Sequence, residues 1–130
     1  MDWLVDLHSW VRWVVVVLGV AAVVVPLLAL ARQQLLSTVR PALSAYAVAL
    51  SVQVVIGVVL WLVEGRWDFG NAFFSLVHPV AMIVGTAVAH AGLGRVRRAS
   101  GTAAARTAAI FAVISLAIVT AAVPTSSWGG

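Results

Sequence analysis

The chain has 130 residues, of which 63% are hydrophobic and only 9% charged, with a mean hydropathy of +1.10 and a formal net charge of +4. This composition lies far outside that of a water-soluble domain and describes one transmembrane domain, 1–130. There is no cysteine, which excludes disulfides, thiolate metal sites, iron–sulfur clusters and covalent haem attachment, and no lysine, which excludes a retinal or pyridoxal Schiff base.

A sequence pI near 11.5 would suggest nucleic acid in a soluble chain. Here the arginines have to be read by where they fall between apolar runs, and no nucleic-acid partner is expected. Four runs of about 20 residues, each enough to cross some 30 Å of hydrocarbon, predict helices over about 8–31, 41–63, 72–94 and 105–123. Short connections make successive helices antiparallel neighbours, so the expected fold is an all-α, up-down-up-down four-helix bundle integral to the membrane.

The first run opens on "LHSWVRW", residues 7–13. His8 and Arg12 are four residues apart and share a helical face that continues through Gly19 and Ala22. Such a face offers an imidazole ligand and a cation for an anionic group; equally, polar residues at a helix end are cheap in the headgroup region. The preceding "MDWLVD" is acidic and the apolar run is too long for a signal-peptide core, so the run is expected to persist in the mature protein.

The connection "ARQQLLSTVR" carries Arg32 and Arg40. In the second run, Gln53 and the serines Ser44 and Ser51 have an ordinary explanation, since serine bonds its own helix and glutamine bridges helices. "EGRWDFGN" then holds Glu64 and Asp68.

"SLVHPVAM" places His78 inside the third run, where an ionisable group is costly and points to function. Pro79 predicts that the helix is kinked or begins here, with His78 held away from helical geometry. The alternative partner for His78 is a backbone carbonyl freed by the proline, such as that of Ser75. The His78 face continues through Met82, Gly85 and Ala89, and small residues on two facing stripes leave room for a flat ring or for close helix packing. His90, near the end of the run, is open to three readings: a second haem ligand, a site shared across a homodimer, or an interfacial histidine. "LGRVRRASGTAAAR" adds Arg95, Arg97, Arg98 and Arg106 before the fourth run, whose Ser115 and Thr120 are expected to bond their own helix.

Both arginine-rich connections are free of acids, so the positive-inside rule puts them in the cytoplasm and both termini outside. Asp2, Asp6, Glu64 and Asp68 all fall on the outer side, as do Trp3, Trp10, Trp13, Trp61, Trp67 and Trp128, which form an interfacial belt.

Helices one and three are diagonal partners in such a ring and carry all three histidines. Neutral imidazoles on facing helices can hold haem iron from both sides of the macrocycle, which makes His8 and His78 the candidate axial ligands. Arg12 would pair with a propionate. Counted from the cytoplasmic arginines, His8 lies roughly 36 Å from Arg32 and His78 about 25 Å from Arg95. Level ligands therefore require helix tilt, a kink at Pro26, or a protruding inner end of the first helix. No buried carboxylate or arginine lies at mid-membrane, which argues against a proton-coupled carrier or ion pathway, and no phosphate loop, HExxH or nucleophile triad is present.

"LHSWVRW", "VHPVAM" and the basic exit "GRVRR" together resemble the small four-helix bacterial membrane proteins labelled cytochrome b-like, whose pattern of LHSxxRW, HPxxM and GR spans most of the chain. The resemblance implies haem b and electron transfer in the bacterial cytoplasmic membrane, with His8, His78 and Arg12 as matching residues. An acid commonly precedes HP in that family, where this chain has Val77, which weakens any proton-transfer role. The function expected is that of a membrane b-type cytochrome passing single electrons. It would hold one haem, or two if His90 ligates, and would serve as a subunit of a larger redox complex or as a homo-oligomer, with quinone as a candidate electron partner. A chain with so little soluble surface is more in keeping with an electron-transfer or accessory subunit than with a stand-alone enzyme. Two alternatives stand beside this: a cofactor-free structural subunit of a respiratory or photosynthetic complex, and a chlorophyll or quinone binder using the same histidines.

Overall fold

A computed structural model describes residues 2–63 and 77–121. Four helices make up almost all of it: α1 (Asp2–Ala31), α2 (Leu36–Val63), α3 (His78–Arg97) and α4 (Gly101–Ala121). All four are long and apolar enough to cross a membrane. Glu64, Trp67, Asp68, Ser75 and Trp128 lie outside the described residues.

Three helix starts differ from the sequence expectation. α1 begins at Asp2, one and a half turns earlier than expected. α2 begins at Leu36 and takes Pro41 inside its second turn. A single 3-10 turn, Gln33–Leu35, reverses the chain before it, opening at Arg32 in extended geometry. α4 gains a first turn of threonine and alanine, good company for a helix, after Gly101 adopts a φ of 59° that other residues resist. Pro26 lies within α1 and is buried, and the helix runs through it.

The helices form an up-down-up-down ring. α1 packs on α2 and α4, and α3 packs on α4 and α2; α2 and α4 meet across the short diagonal, leaving α1 and α3 at the ends of the long one with little or no direct contact. The core draws on all four helices, through Val15 and Ala22, Leu43, Tyr46 and Leu50, Met82 and Ala89, and Ala108, Ala112 and Val119. Alanine and glycine dominate the inner faces because helices in lipid associate by close approach rather than by hiding apolar surface from water. Large aliphatic side chains instead face outward, among them Val17, Leu27, Val48, Val55, Ile83 and Ile110. Trp3, Trp10 and Trp13 are exposed at one end, as interfacial anchors are.

Glycines set how closely the helices approach. A Cβ on Gly19 would lie 2.7 Å from Leu116 and 3.0 Å from the Tyr46 ring, one on Gly85 2.6 Å from Val119, and one on Gly92 would run into the Cβ of Phe111. The buried hydroxyls complete this packing. Ser115 donates to the Gly85 carbonyl at 2.7 Å, which uses its only proton, so Tyr46 is the donor in the 2.9 Å bond between the Tyr46 and Ser115 oxygens. One hydrogen-bonded chain thereby joins α2, α4 and α3 in the middle of the bundle.

Candidate functional site

His8, Arg12, Gln53 and His78 gather toward the end of the bundle where α1 begins and α2 ends, here termed the histidine end. The opposite end carries Arg32, Arg40, Arg95, Arg97, Arg98 and Arg106 and is the arginine end.

His8 lies in the seam between α1 and α2. A Cβ on Gly57 would come within 3.3 Å of the His8 Cε1 and 3.9 Å of its Nδ1, so glycine is what lets the imidazole lie flush against α2. One turn inward on α2, Gln53 is buried and donates through Nε2 to the His8 carbonyl at 2.9 Å. The glutamine therefore bridges helices as expected of its type. Its Oε1 is also buried and has no hydrogen-bond partner among the described residues. A buried acceptor of this kind, left over beside a histidine in an apolar bundle, is costly without a ligand or a donor to meet it. Arg12, half-buried, carries its guanidinium 5.5 Å from the centre of the Trp13 ring, a cation–π contact at the rim of the same seam.

His78 opens α3, half-buried, with Pro79 in the first turn where its missing N–H deprives the helix of nothing. His78 is itself helical, contrary to the restriction expected from Pro79, and Val77 before it also has helical angles, so the kink and the fresh start expected at Pro79 are not told apart within the described residues. Met82 lies one turn below His78 and is buried; its carbonyl accepts from Thr86 at 2.8 Å.

The ties between helices give the relative depth of the two histidines. Gly19, Tyr46, Ser115 and Gly85 are linked by contact. Counting outward from Gly19 to His8 and from Gly85 to His78 sets His8 about 6 Å further out. Counting instead from Gly57, beside His8, through the Ser51–His90 bond sets His78 further out by about 9 Å. The two routes differ in sign, so a common level lies between them. α1, with 30 residues, is about 45 Å long. That length exceeds the hydrocarbon thickness, an excess that a spanning helix accommodates by tilt or overhang, and α1 is continuous through Pro26.

The small-residue stripes do not extend this site inward. The space beside Gly19, Gly85 and Gly92 is taken by Leu116 and Tyr46, by Val119 and by Phe111, so Gly85 serves the α3–α4 contact. His90 also has a local partner: its Nε2 lies 2.8 Å from the Ser51 hydroxyl. Ser51 donates to the Ala47 carbonyl at 3.0 Å, so the Nε2 of His90 supplies the proton to Ser51. The Nε2 of His90 is thus engaged within the chain. Among the described residues, no group of three or more histidine or acidic side chains converges as a metal site.

Sequence reading had not singled out Gly57 or Tyr46, and had given Ser115 only a bond within its own helix. Gly57 follows Gln53 by one turn, but its pairing with His8 depends on the register of α1 against α2, which no local pattern encodes. No protein-family model matches this sequence, and no curated protein or solved structure is significantly similar to it.

Proposed function

We propose that the protein is a membrane b-type cytochrome whose haem would be held at the histidine end by His8 and His78, and that it passes single electrons within a larger redox complex or a homo-oligomer. The observation that carries this reading is the buried Gln53 carbonyl oxygen beside a histidine seated on a glycine, at the end of the bundle where His78 opens the diagonal helix.

The donor set suits the group. Neutral imidazoles ligate haem iron without bringing charge into the membrane. A ligating histidine commonly gives its second N–H to a carbonyl, and Gln53, already anchored on the His8 backbone, supplies an acceptor of that kind. Arg12 supplies a cation at the rim for a propionate. Met82, one turn along α3 from His78, is buried and apolar, and Gly57 provides the space that the His8 imidazole occupies. Bound between such ligands, haem supplies one-electron exchange between ferric and ferrous iron. The chain's own part is to orient the two imidazoles, exclude water and fix the depth of the site. With the arginine end in the cytoplasm of a bacterium, that depth is the outer leaflet, within reach of the quinone pool or an extracytoplasmic subunit.

Titration of the purified, haem-free protein with haemin in detergent tests this. A Soret band saturating at one haem per chain, reduced to non-specific levels by His8→Ala and by His78→Ala in folded protein, is the expected result. Equal uptake by both variants would overturn it.

A second reading, a cofactor-free structural subunit, is favoured by the closely packed middle of the bundle and its aliphatic outer faces. It predicts no saturable haem uptake and loss of complex assembly when the subunit is deleted.

A further inference from the structure

A cleft of about 500 Å³ opens between α3 and α4 at the arginine end, lined by Arg95, Arg98, Thr107, Ile110 and Phe111. We propose that it binds the phosphate headgroup of an anionic phospholipid, with the acyl chains running down the outer face of α4.

Four observations support this. Arg95 in the last turn of α3 and Arg98 at its C-cap are three residues apart, both exposed, and both line the same cleft. The Arg95 guanidinium is stacked 5.6 Å from the centre of the Phe111 ring, which itself rests on Gly92, so the cation is held over an apolar floor rather than left to wander in water. No acid stands beside these cations in sequence: the chain's four acids are Asp2, Asp6, Glu64 and Asp68, none of them in either arginine-bearing connection. Below the arginines the wall turns apolar, and Ile110, Val113 and Ile114 continue it as an exposed strip one helical face wide.

The combination selects the ligand. A phosphate accepts charge-assisted hydrogen bonds from two guanidinium groups and one from the Thr107 hydroxyl. A free phosphate has no use for the apolar strip beneath, whereas a phospholipid fills both parts. Basic pockets between membrane helices are where such headgroups settle. The site is independent of the haem reading, since none of its residues belongs to the histidine end.

The test is native mass spectrometry of the full-length protein in detergent, with phosphatidylglycerol or phosphatidylcholine added at equal concentration. Arg95→Gln, Arg98→Gln and, as a control outside the cleft, Arg40→Gln are compared with wild type. Preferential retention of phosphatidylglycerol is expected, weakened about fivefold by Arg95→Gln or Arg98→Gln, the contribution of one arginine at an anionic surface. Arg40→Gln should leave it unchanged. Equal retention of the two lipids, or an equal loss in Arg40→Gln, would show only general surface charge and overturn the proposal. Saturable binding of inorganic phosphate that displaces the lipid would identify a free oxyanion as the ligand and overturn the lipid assignment. The variants are on exposed side chains, and unchanged thermal unfolding confirms that the bundle is intact.

Discussion

The middle of the bundle and its histidine end are both built from glycines and buried polar groups, yet they use them differently. In the middle and on toward the arginine end, each close-set glycine meets a hydrocarbon or aromatic side chain of another helix, and the Tyr46–Ser115–Gly85 chain hands each proton to an acceptor. At the histidine end, Gly57 meets an imidazole, and the buried Gln53 is left with one carbonyl oxygen to offer. A polar group that completes its own bonding within lipid holds helices together. One with capacity to spare invites a ligand, because the bilayer supplies no water to satisfy it.

Substitutions in the two regions should therefore separate stability from cofactor binding. The largest loss of stability is expected from Gly92→Ala, since the new methyl would overlap the Cβ of Phe111, an atom that cannot swing aside. Overpacking of this kind costs about 1–3 kcal/mol or more. Thermal unfolding in detergent should fall clearly, while haem per folded chain stays constant; a loss of haem from protein that remains folded would erase the distinction between the regions.

Ser115→Ala comes next. It strands the buried Tyr46 hydroxyl and removes the second hydrogen bond to the Gly85 carbonyl, which keeps its helical one, with an expected cost of about 1–3 kcal/mol. Tyr46→Phe removes the donor but leaves Ser115 bonded to Gly85, so the milder effect in unfolding experiments should be that of Tyr46→Phe. The reverse order would contradict the donor assignment drawn from the geometry.

At the histidine end the pattern should invert. Gln53→Leu keeps an apolar side chain of similar length and removes the acceptor next to His8, and haem affinity is expected to fall by about 10- to 100-fold. Its effect on unfolding should be small, near the 0.6 kcal/mol or so typical of a hydrogen bond between membrane helices. Unchanged haem affinity would reduce Gln53 to a bridge. The smallest effect belongs to Gly57→Ala. A methyl 3.3 Å from the His8 ring displaces it by a few tenths of an ångström. Haem should be retained with a shifted absorption maximum and weaker binding, and the unfolding temperature should hardly move.

Much of this architecture was legible in the residues themselves. Runs of valine, leucine and alanine announced four helices, because a backbone in lipid has no other way to satisfy its polar groups. The helix starts were misjudged by one to two turns where proline and polar residues stood near a boundary. Pro41 and the alanine-rich 101–104 continue helices that an apolar threshold cuts short. The histidines and Arg12 stood out as polar residues in an apolar text. Their surroundings did not: the fit of Gly57 to His8, of Ser51 to His90 and of Phe111 to Gly92 depends on how helices register against one another. The stripe through Gly85 and Ala89 shows the limit most clearly. Small residues predicted room, and the neighbouring helix had filled it with Val119.

The central claim is that His8 and His78 together hold one haem. Its most direct test is a reduced-minus-oxidised pyridine haemochrome spectrum of the protein purified from a haem-replete host, recorded beside His78→Ala. The account predicts a b-type spectrum at one haem per chain that vanishes in the variant while the helical content and unfolding temperature persist. Well-folded wild-type protein without that spectrum, or a variant that keeps it in full, would contradict the account.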